Sequence, residues 1–297
     1  MIKSQKISFF AKLKGFLELA RPKQWIKNLF VFAALVFAGH AFDEDYLQKT
    51  TLAFLLFCLI SACVYILNDI VDVNKDRAHP KKRTRPIASG IITPKEAVVF
   101  LIILLPFSLA ASFKVDFFLG IVILVYFLNN LLYSLVVKHW VILDVMSIAL
   151  GFLLRVIGGA LVIKVYISPW ILLCTLLLSL FLGFSKRRNE LTVLQEDADS
   201  HRKILKEYSL EFIDNMLSIV TASTVMAYSL YTFSSNSENY YMMATIPFVL
   251  YGIFRYQYII YQKQEGGSPE ETVLSDVPLM INILLWVVTS IIILYFI

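Results

Sequence analysis

Charge is scarce in this sequence. Asp, Glu, Lys and Arg make up 16% of its 297 residues, against about 25% in a soluble domain. That excludes a soluble globule and a highly charged disordered chain. Cysteine is nearly absent. Cys58, Cys63 and Cys174 all fall in apolar segments without metal-site spacing, so a disulfide scaffold is excluded and the three read as small buried hydrophobes. Histidine is equally rare, and only His79, beside Pro80, lies near a chemical motif; it reads as a turn residue, with a general base as the alternative. Strong internal repeats, low-complexity tracts and a separate extramembrane domain are missing as well. What is abundant is apolar: 58% hydrophobic and 14% aromatic residues define a polytopic membrane protein.

A helix crosses the hydrocarbon in roughly 20 residues. Nine stretches qualify: 25–42, 51–67, 97–113, 116–137, 140–163, 168–185, 212–233, 241–262 and 278–297. None alternates in polarity as barrel strands do, so the expected fold class is all-α, a nine-helix transmembrane bundle. Residues 1–24 form a separate interfacial segment. It is rich in Lys, with Phe9, Leu13, Phe16 and Leu17 at helical spacing, and it lacks the continuous apolar core and cleavage site of a signal peptide. With the N-terminus inside, 23 of the 27 Lys and Arg fall on inner segments and only Lys49, Lys114 and Lys164 on outer ones. The positive-inside rule then places the N-terminus and the inner loops 68–96 and 186–211 in the cytoplasm, at the plasma (inner) membrane. One weak echo suggests two four-helix halves: the most charged inner loops follow the second and the sixth spans. Pro106 and Pro247 interrupt spans.

The loop after the second span reads N-D-I-V-D-V-N-K-D-R-A-H-P-K-K-R-T-R-P from Asn68 to Pro86. Asp69, Asp72 and Asp76 are spaced i, i+3, i+7 and share one helical face. Three carboxylates there repel one another unless a cation joins them. Oxygen ligands without His or Cys point to Mg²⁺, with Asn68 adding an amide. The basic residues that follow, Lys81, Lys82, Arg83 and Arg85 among them, suit the remaining charge of a diphosphate; anchoring beside anionic lipid is the alternative.

N-D-x-x-D-x-x-x-D followed by R-x-x-R-P resembles the first aspartate-rich motif of the UbiA superfamily of intramembrane prenyltransferases, and nine spans with that motif after the second match the superfamily's fold. The resemblance implies an enzyme using Mg²⁺ at Asp69, Asp72 and Asp76. It also implies a second D-x-x-x-D motif after the sixth span. Here that loop reads Ser185-Lys-Arg-Arg-Asn-Glu190, three basic residues and one carboxylate. Glu196, Asp197 and Asp199 do not restore the spacing.

This departure is similar to one branch of the superfamily, the decaprenyl-phosphate phosphoribosyltransferases. So are the opening run Arg21 to Asn28, the stretch Asp76 to Pro86, the element Lys186, Arg187, Glu190, and residues Gly252 to Tyr256. The branch implies phosphoribosyl pyrophosphate as donor and a polyprenyl phosphate as acceptor, with a product used for cell-envelope polysaccharide precursors. Lys23, Lys81, Arg83, Arg85, Lys186, Arg187 and Glu190 are then substrate-binding candidates. Within the spans, Tyr133, Lys138 and Asp144 could line the inner wall of a polar cavity, with Asn129 and Asn130 deeper. Arg155 lies deeper still, flanked by Gly151, Gly158 and Gly159, and either contacts substrate or pairs within the bundle. Classical prenyl transfer from a prenyl diphosphate remains the alternative, and a transporter a remote one. No nucleic-acid partner is expected; a homo-oligomer is left open.

Overall fold

The apolar stretches fold as helices, and no strand occurs among the described residues. The structure, a computed structural model, describes residues 8–80, 82–194, 203–234, 240–263, 267 and 269–297. Lys81, Glu196, Asp197, Asp199 and Glu265 lie outside the described residues.

Helix α1 (Phe9–Leu19) leaves Phe9, Phe10, Leu13 and Leu17 exposed while burying Gly15 and Leu19. Gly15 lets α1 approach closely here: a Cβ would meet the Ile91 and Ile92 side chains at 3.0 and 3.1 Å, tighter than an ordinary contact. The stretch 25–42 is not one α-helix. It begins as a 3₁₀ helix, Pro22–Phe32, and continues as the short α2 (Ala33–Phe37). Such 3₁₀ runs rarely exceed about four residues.

Helix α3 (Glu44–Val71) is the central column, and α4 (Val73–Ala78) extends it past the apolar run. Helix α5 (Pro94–Val115) opens with a capping box between Thr93 and Glu96. The Glu96 carboxylate is also paired with Lys12, which ties α1 to the bundle. Helices α6 (Phe117–Leu135) and α7 (Leu143–Ile163) complete a first half whose core joins Val31, Phe57, Ile60, Leu119, Ile123 and Leu154. The second half holds α8 (Pro169–Leu194), α9 (Leu210–Ser234), α10 (Ile246–Gln262), α11 (Pro269–Ser275) and α12 (Val277–Phe296). Its core joins Phe181, Phe184, Ile213, Leu217, Ile253 and Tyr256. The halves meet where α7 packs along α8.

Seven of these helices are long and apolar enough to cross a membrane. The other two expected crossings, 25–42 and 241–262, combine 3₁₀ and α segments (for the latter, Tyr240–Thr245 and then α10). Pro247 does not break its span. It stands in the first turn of α10, where a missing N–H costs nothing. Ile102, Ile103 and Phe107 on α5, Phe117 and Phe118 on α6, and Ile281 and Leu284 on α12 are exposed apolar side chains. A surface of this kind is covered by lipid, and the chain is an integral membrane protein.

Candidate active site

The inner end of α3 carries the acidic motif, and helical hydrogen bonding runs through it: Asp72 N–H donates to Asn68 O and Asp76 N–H to Asp72 O, both at 2.9 Å. At helical pitch, i and i+7 differ by only about 20° around the axis, while i and i+3 differ by about 60°. Asp69 and Asp76 therefore converge, 2% and 3% exposed. Arg85 places one nitrogen between them, Nη1 donating to Asp69 Oδ1 at 3.1 Å and to Asp76 Oδ2 at 2.7 Å. Arg21 closes on Asp69 from the other side while lying 4.8 Å over the Tyr65 ring. Arg21 has φ +49°, the left-handed turn that starts the 3₁₀ helix.

Asp72 stands apart, with Oδ1 facing exposed Lys75 Nζ at 3.3 Å. The expectation of three carboxylates gathered at one point is thus refined to a buried pair with a third at its rim. Among the described residues, no group of three or more His, Cys, Asp and Glu is close enough to hold a metal ion. The pair itself suits a hard cation: two buried carboxylates aim at one point, and a positive group already stands on it. Around it, Asn68 is half-buried, and Lys23 and Arg83 are exposed.

A second cluster forms between the start of α7 and the inner end of α8. Arg187 is 1% exposed. Its Nε donates to Asp144 Oδ2 at 2.6 Å, Nη1 to Glu190 Oε2 at 2.5 Å and Nη2 to Tyr133 OH at 3.2 Å. The other oxygen of fully buried Asp144 accepts from Tyr208 OH at 2.8 Å, and that hydroxyl accepts Ile142 N–H at 2.7 Å. Burial pushes the Tyr208 hydroxyl well up from its ordinary value, so it stays protonated and donates. Ile142 has φ +69°, a strained conformation for a β-branched residue.

The sequence candidates Tyr133, Asp144, Arg187 and Glu190 are thus brought together. Arg187, expected to meet substrate phosphate, is instead the buried hub that holds two carboxylates, because those carboxylates need its charge. Lys186 and Lys138 lie half-buried beside this network. Arg188 pairs with Asp214 at 2.7 Å and lies 4.0 Å over Tyr261, which binds the loop's helix to α9 and α10.

Deeper in the first half, Arg155 donates to Asn28 Oδ1, Gly151 O and Tyr126 OH at 2.7, 2.8 and 2.8 Å. Asn129 instead bonds Ser147, and Asn130 bonds the backbone of its own helix. Sequence reasoning missed Arg21 and Tyr208 as site residues. Arg21 sits in the quoted opening run, so a basic residue two positions before Lys23 was available as a signal; Tyr208 offered none.

A membrane-embedded helical bundle with a carboxylate pair at one mouth is the frame of an intramembrane transferase. The chain belongs to the UbiA prenyltransferase family, whose model matches residues 28–296. It is 35% identical over 292 residues to a decaprenyl-phosphate phosphoribosyltransferase from Mycolicibacterium smegmatis, covering 93% of this chain and 91% of that one. A protein of the same name from Corynebacterium glutamicum is 32% identical over 282 residues, covering 92% and 84%. The fold is similar to a UbiA homolog from Archaeoglobus fulgidus bound to GPP and Mg²⁺, with TM-score 0.71, 18% identity, and coverage of 94% and 99% of the two chains.

Proposed function

We propose that this protein transfers a 5-phosphoribosyl group from phosphoribosyl pyrophosphate to a polyprenyl phosphate of decaprenyl type, releasing diphosphate, for cell-envelope polysaccharide precursors. The observation that carries the reading is the similarity to decaprenyl-phosphate phosphoribosyltransferases along nearly the whole chain. The second cluster supports it, since Arg187 stands where a classical member would carry a second aspartate pair.

Asp69 and Asp76 would hold Mg²⁺, with Asp72 at the rim. The cation, when bound, neutralises charge on the leaving diphosphate. Arg85 and Arg21 are attached to the carboxylates through partly exposed side chains; released from them, they face the same diphosphate. Lys23, Arg83 and Lys186 add positive charge at the mouth. The bond from ribose C1 to the diphosphate oxygen breaks, and a bond from C1 to a lipid phosphate oxygen forms. That oxygen is already anionic near neutral pH, so no side chain has to remove a proton. This accords with a site built from carboxylates and guanidinium groups. The Asp144–Arg187–Glu190 network fixes α7 against α8. We place this mouth on the cytoplasmic side of the inner membrane, where Lys and Arg concentrate.

The test is direct. Purified protein receives labelled phosphoribosyl pyrophosphate, decaprenyl phosphate and Mg²⁺, and the lipid product is identified by mass. A phosphoribosylated lipid is expected. Label entering product only from a prenyl diphosphate would overturn the reading in favour of classical prenyl transfer.

A further inference from the structure

We infer that Arg155 is the receptor for a phosphate monoester carried by one of the two substrates, seated inside the first half of the bundle about 12 Å from the carboxylate pair. The inference rests on the proposed phosphoribosyl transfer, because that reaction brings two such groups to the bundle: the donor's 5-phosphate and the phosphate of the lipid.

The argument begins with charge. Arg21, Arg85, Arg187, Arg188 and Arg255 each lie within ion-pair distance of a carboxylate. Arg155, 5% exposed, has none among the described residues. Its contacts are a side-chain amide oxygen, a backbone carbonyl and a phenol, with the rings of Tyr126 and Phe152 at 4.7 and 5.2 Å. Three hydrogen bonds leave part of a guanidinium's donor set unspent. A helix staple needs no permanent charge, and burying one without a counter-ion is costly. The same low dielectric makes a guanidinium that has no carboxylate a strong attractor for an anion.

Tyr65 and Ser61 stand one and two turns further in on α3 than Asp69, about 40° and 80° round the helix from it. The 3₁₀ helix opposite carries Arg21 at the mouth and Asn28 inside. Ser61 Oγ lies 3.2 Å from Tyr126 OH and 3.5 Å from Asn28 Oδ1, so hydroxyl and amide groups stand around the guanidinium on the side of α3. A Cβ on Gly151 would sit at ordinary contact distance, 3.5 Å from Arg155 Nη1 and 3.6 Å from the Tyr126 ring, so a methyl-sized group is tolerated beside the guanidinium. Both helices give the same depth, eight residues from Asp69 to Ser61 on α3 and eight from Leu143 to Gly151 on α7, about 12 Å in each case.

Asn28→Asp tests this, because it supplies the missing carboxylate 2.7 Å from Arg155 Nε with almost no change of shape. The expected result is a KM raised about tenfold or more, equivalent to about 1.4 kcal/mol, for one substrate only. kcat at saturation should hold, and the melting temperature should equal or exceed that of the wild type. Varying phosphoribosyl pyrophosphate and decaprenyl phosphate in turn shows which one carries the phosphate. Unchanged KM values for both substrates, with a normal or raised melting temperature, would make Arg155 a structural staple and overturn the inference.

Should Asn28→Asp not fold, Arg155→Lys and Arg155→Gln decide. A KM for one substrate that rises from wild type to Lys to Gln supports the receptor; losses for both substrates that track melting temperature overturn it. A second readout needs no turnover. Each substrate is tested for raising the melting temperature of the wild type and of Asn28→Asp. Stabilisation of the wild type that the variant lacks keeps the receptor even if no transfer occurs, in which case only the transfer reading fails. Equal stabilisation in both proteins, or none in either, counts against the receptor.

Discussion

Two carboxylates almost sealed from solvent must have their charge matched, and Asp69 and Asp76 are matched by the same guanidinium. The arrangement separates the three aspartates. Asp69→Asn and Asp76→Asn are each expected to lower transfer by about 10²-fold or more, and Asp72→Asn by clearly less, read as initial rates across a Mg²⁺ titration. Equal losses in all three would show a three-carboxylate site. Tyr208 acts through Asp144. Its replacement by Phe leaves one buried carboxylate oxygen and the Ile142 N–H without their hydroxyl, a cost of about 1–3 kcal/mol, which thermal melting in detergent should register. At this scale the sequence was informative where side-chain type sets the chemistry. Asp69, Asp72 and Asp76 are legible from spacing as carboxylates on one helical face, Tyr133 and Asp144 as polar groups near the inner ends of spans, and Arg187 and Glu190 as part of the charged loop after the sixth. That the last four close on one another depends on how α7 meets α8, which no local pattern encodes. The left-handed turn that aims Arg21 is equally silent, since nothing in an Arg-Pro pair demands it.

The elements most exposed to perturbation are the irregular ones. The 3₁₀ helix lies so close to α7 that a Cβ on Gly159 would fall 1.9 Å from the Val31 carbonyl oxygen, whereas one on Gly158 would meet the Phe57 ring at 2.7 Å. A ring can move aside, and a backbone held at both ends cannot. Gly159→Ala is therefore expected to depress the melting temperature more than Gly158→Ala, and to speed proteolysis near residues 22–32. At the other end of the chain, Asp276 caps α12 through Leu279 N–H at 3.0 Å and accepts from Arg255 at 2.9 and 3.0 Å. The hydrogen bond from Arg255 leads the causes that hold its carboxyl down at about 2, below the ordinary value of about 3.9. A lowered folded-state pKa gives stability that is complete above the unfolded value and lost as pH falls through the folded one. The melting-temperature gap between wild type and Asp276→Asn should then be flat from about pH 5 to 8 and shrink below about pH 4. Long apolar runs made the seven regular crossings legible. The stretches 25–42 and 241–262 read equally apolar, but hydropathy does not see the 3₁₀ geometry at their starts.

Across the whole molecule, the two halves present opposite solutions to one electrostatic problem. In the first, carboxylates are buried and arginines close over them. In the second, an arginine is buried and carboxylates close over it. The loop echo after the second and sixth spans is the trace of this in the sequence, and the inversion of sign is what suits a phosphate-rich pair of substrates better than a single prenyl diphosphate. Both clusters have to lie on the same side of the membrane for this to work, and the orientation proposed from the distribution of Lys and Arg makes that side the inner one. Lys75 and Lys114 test it, because both are exposed and they stand on opposite faces of the bundle. Single cysteines at these positions, in a background where Cys58, Cys63 and Cys174 are replaced, should respond oppositely to a membrane-impermeant maleimide. In right-side-out vesicles, Lys114→Cys is expected to label and Lys75→Cys to stay protected until the membrane is opened. The reverse pattern would put the carboxylate pair on the outer face, away from any cytoplasmic phosphoribosyl donor, and the proposed reaction would lose its substrate.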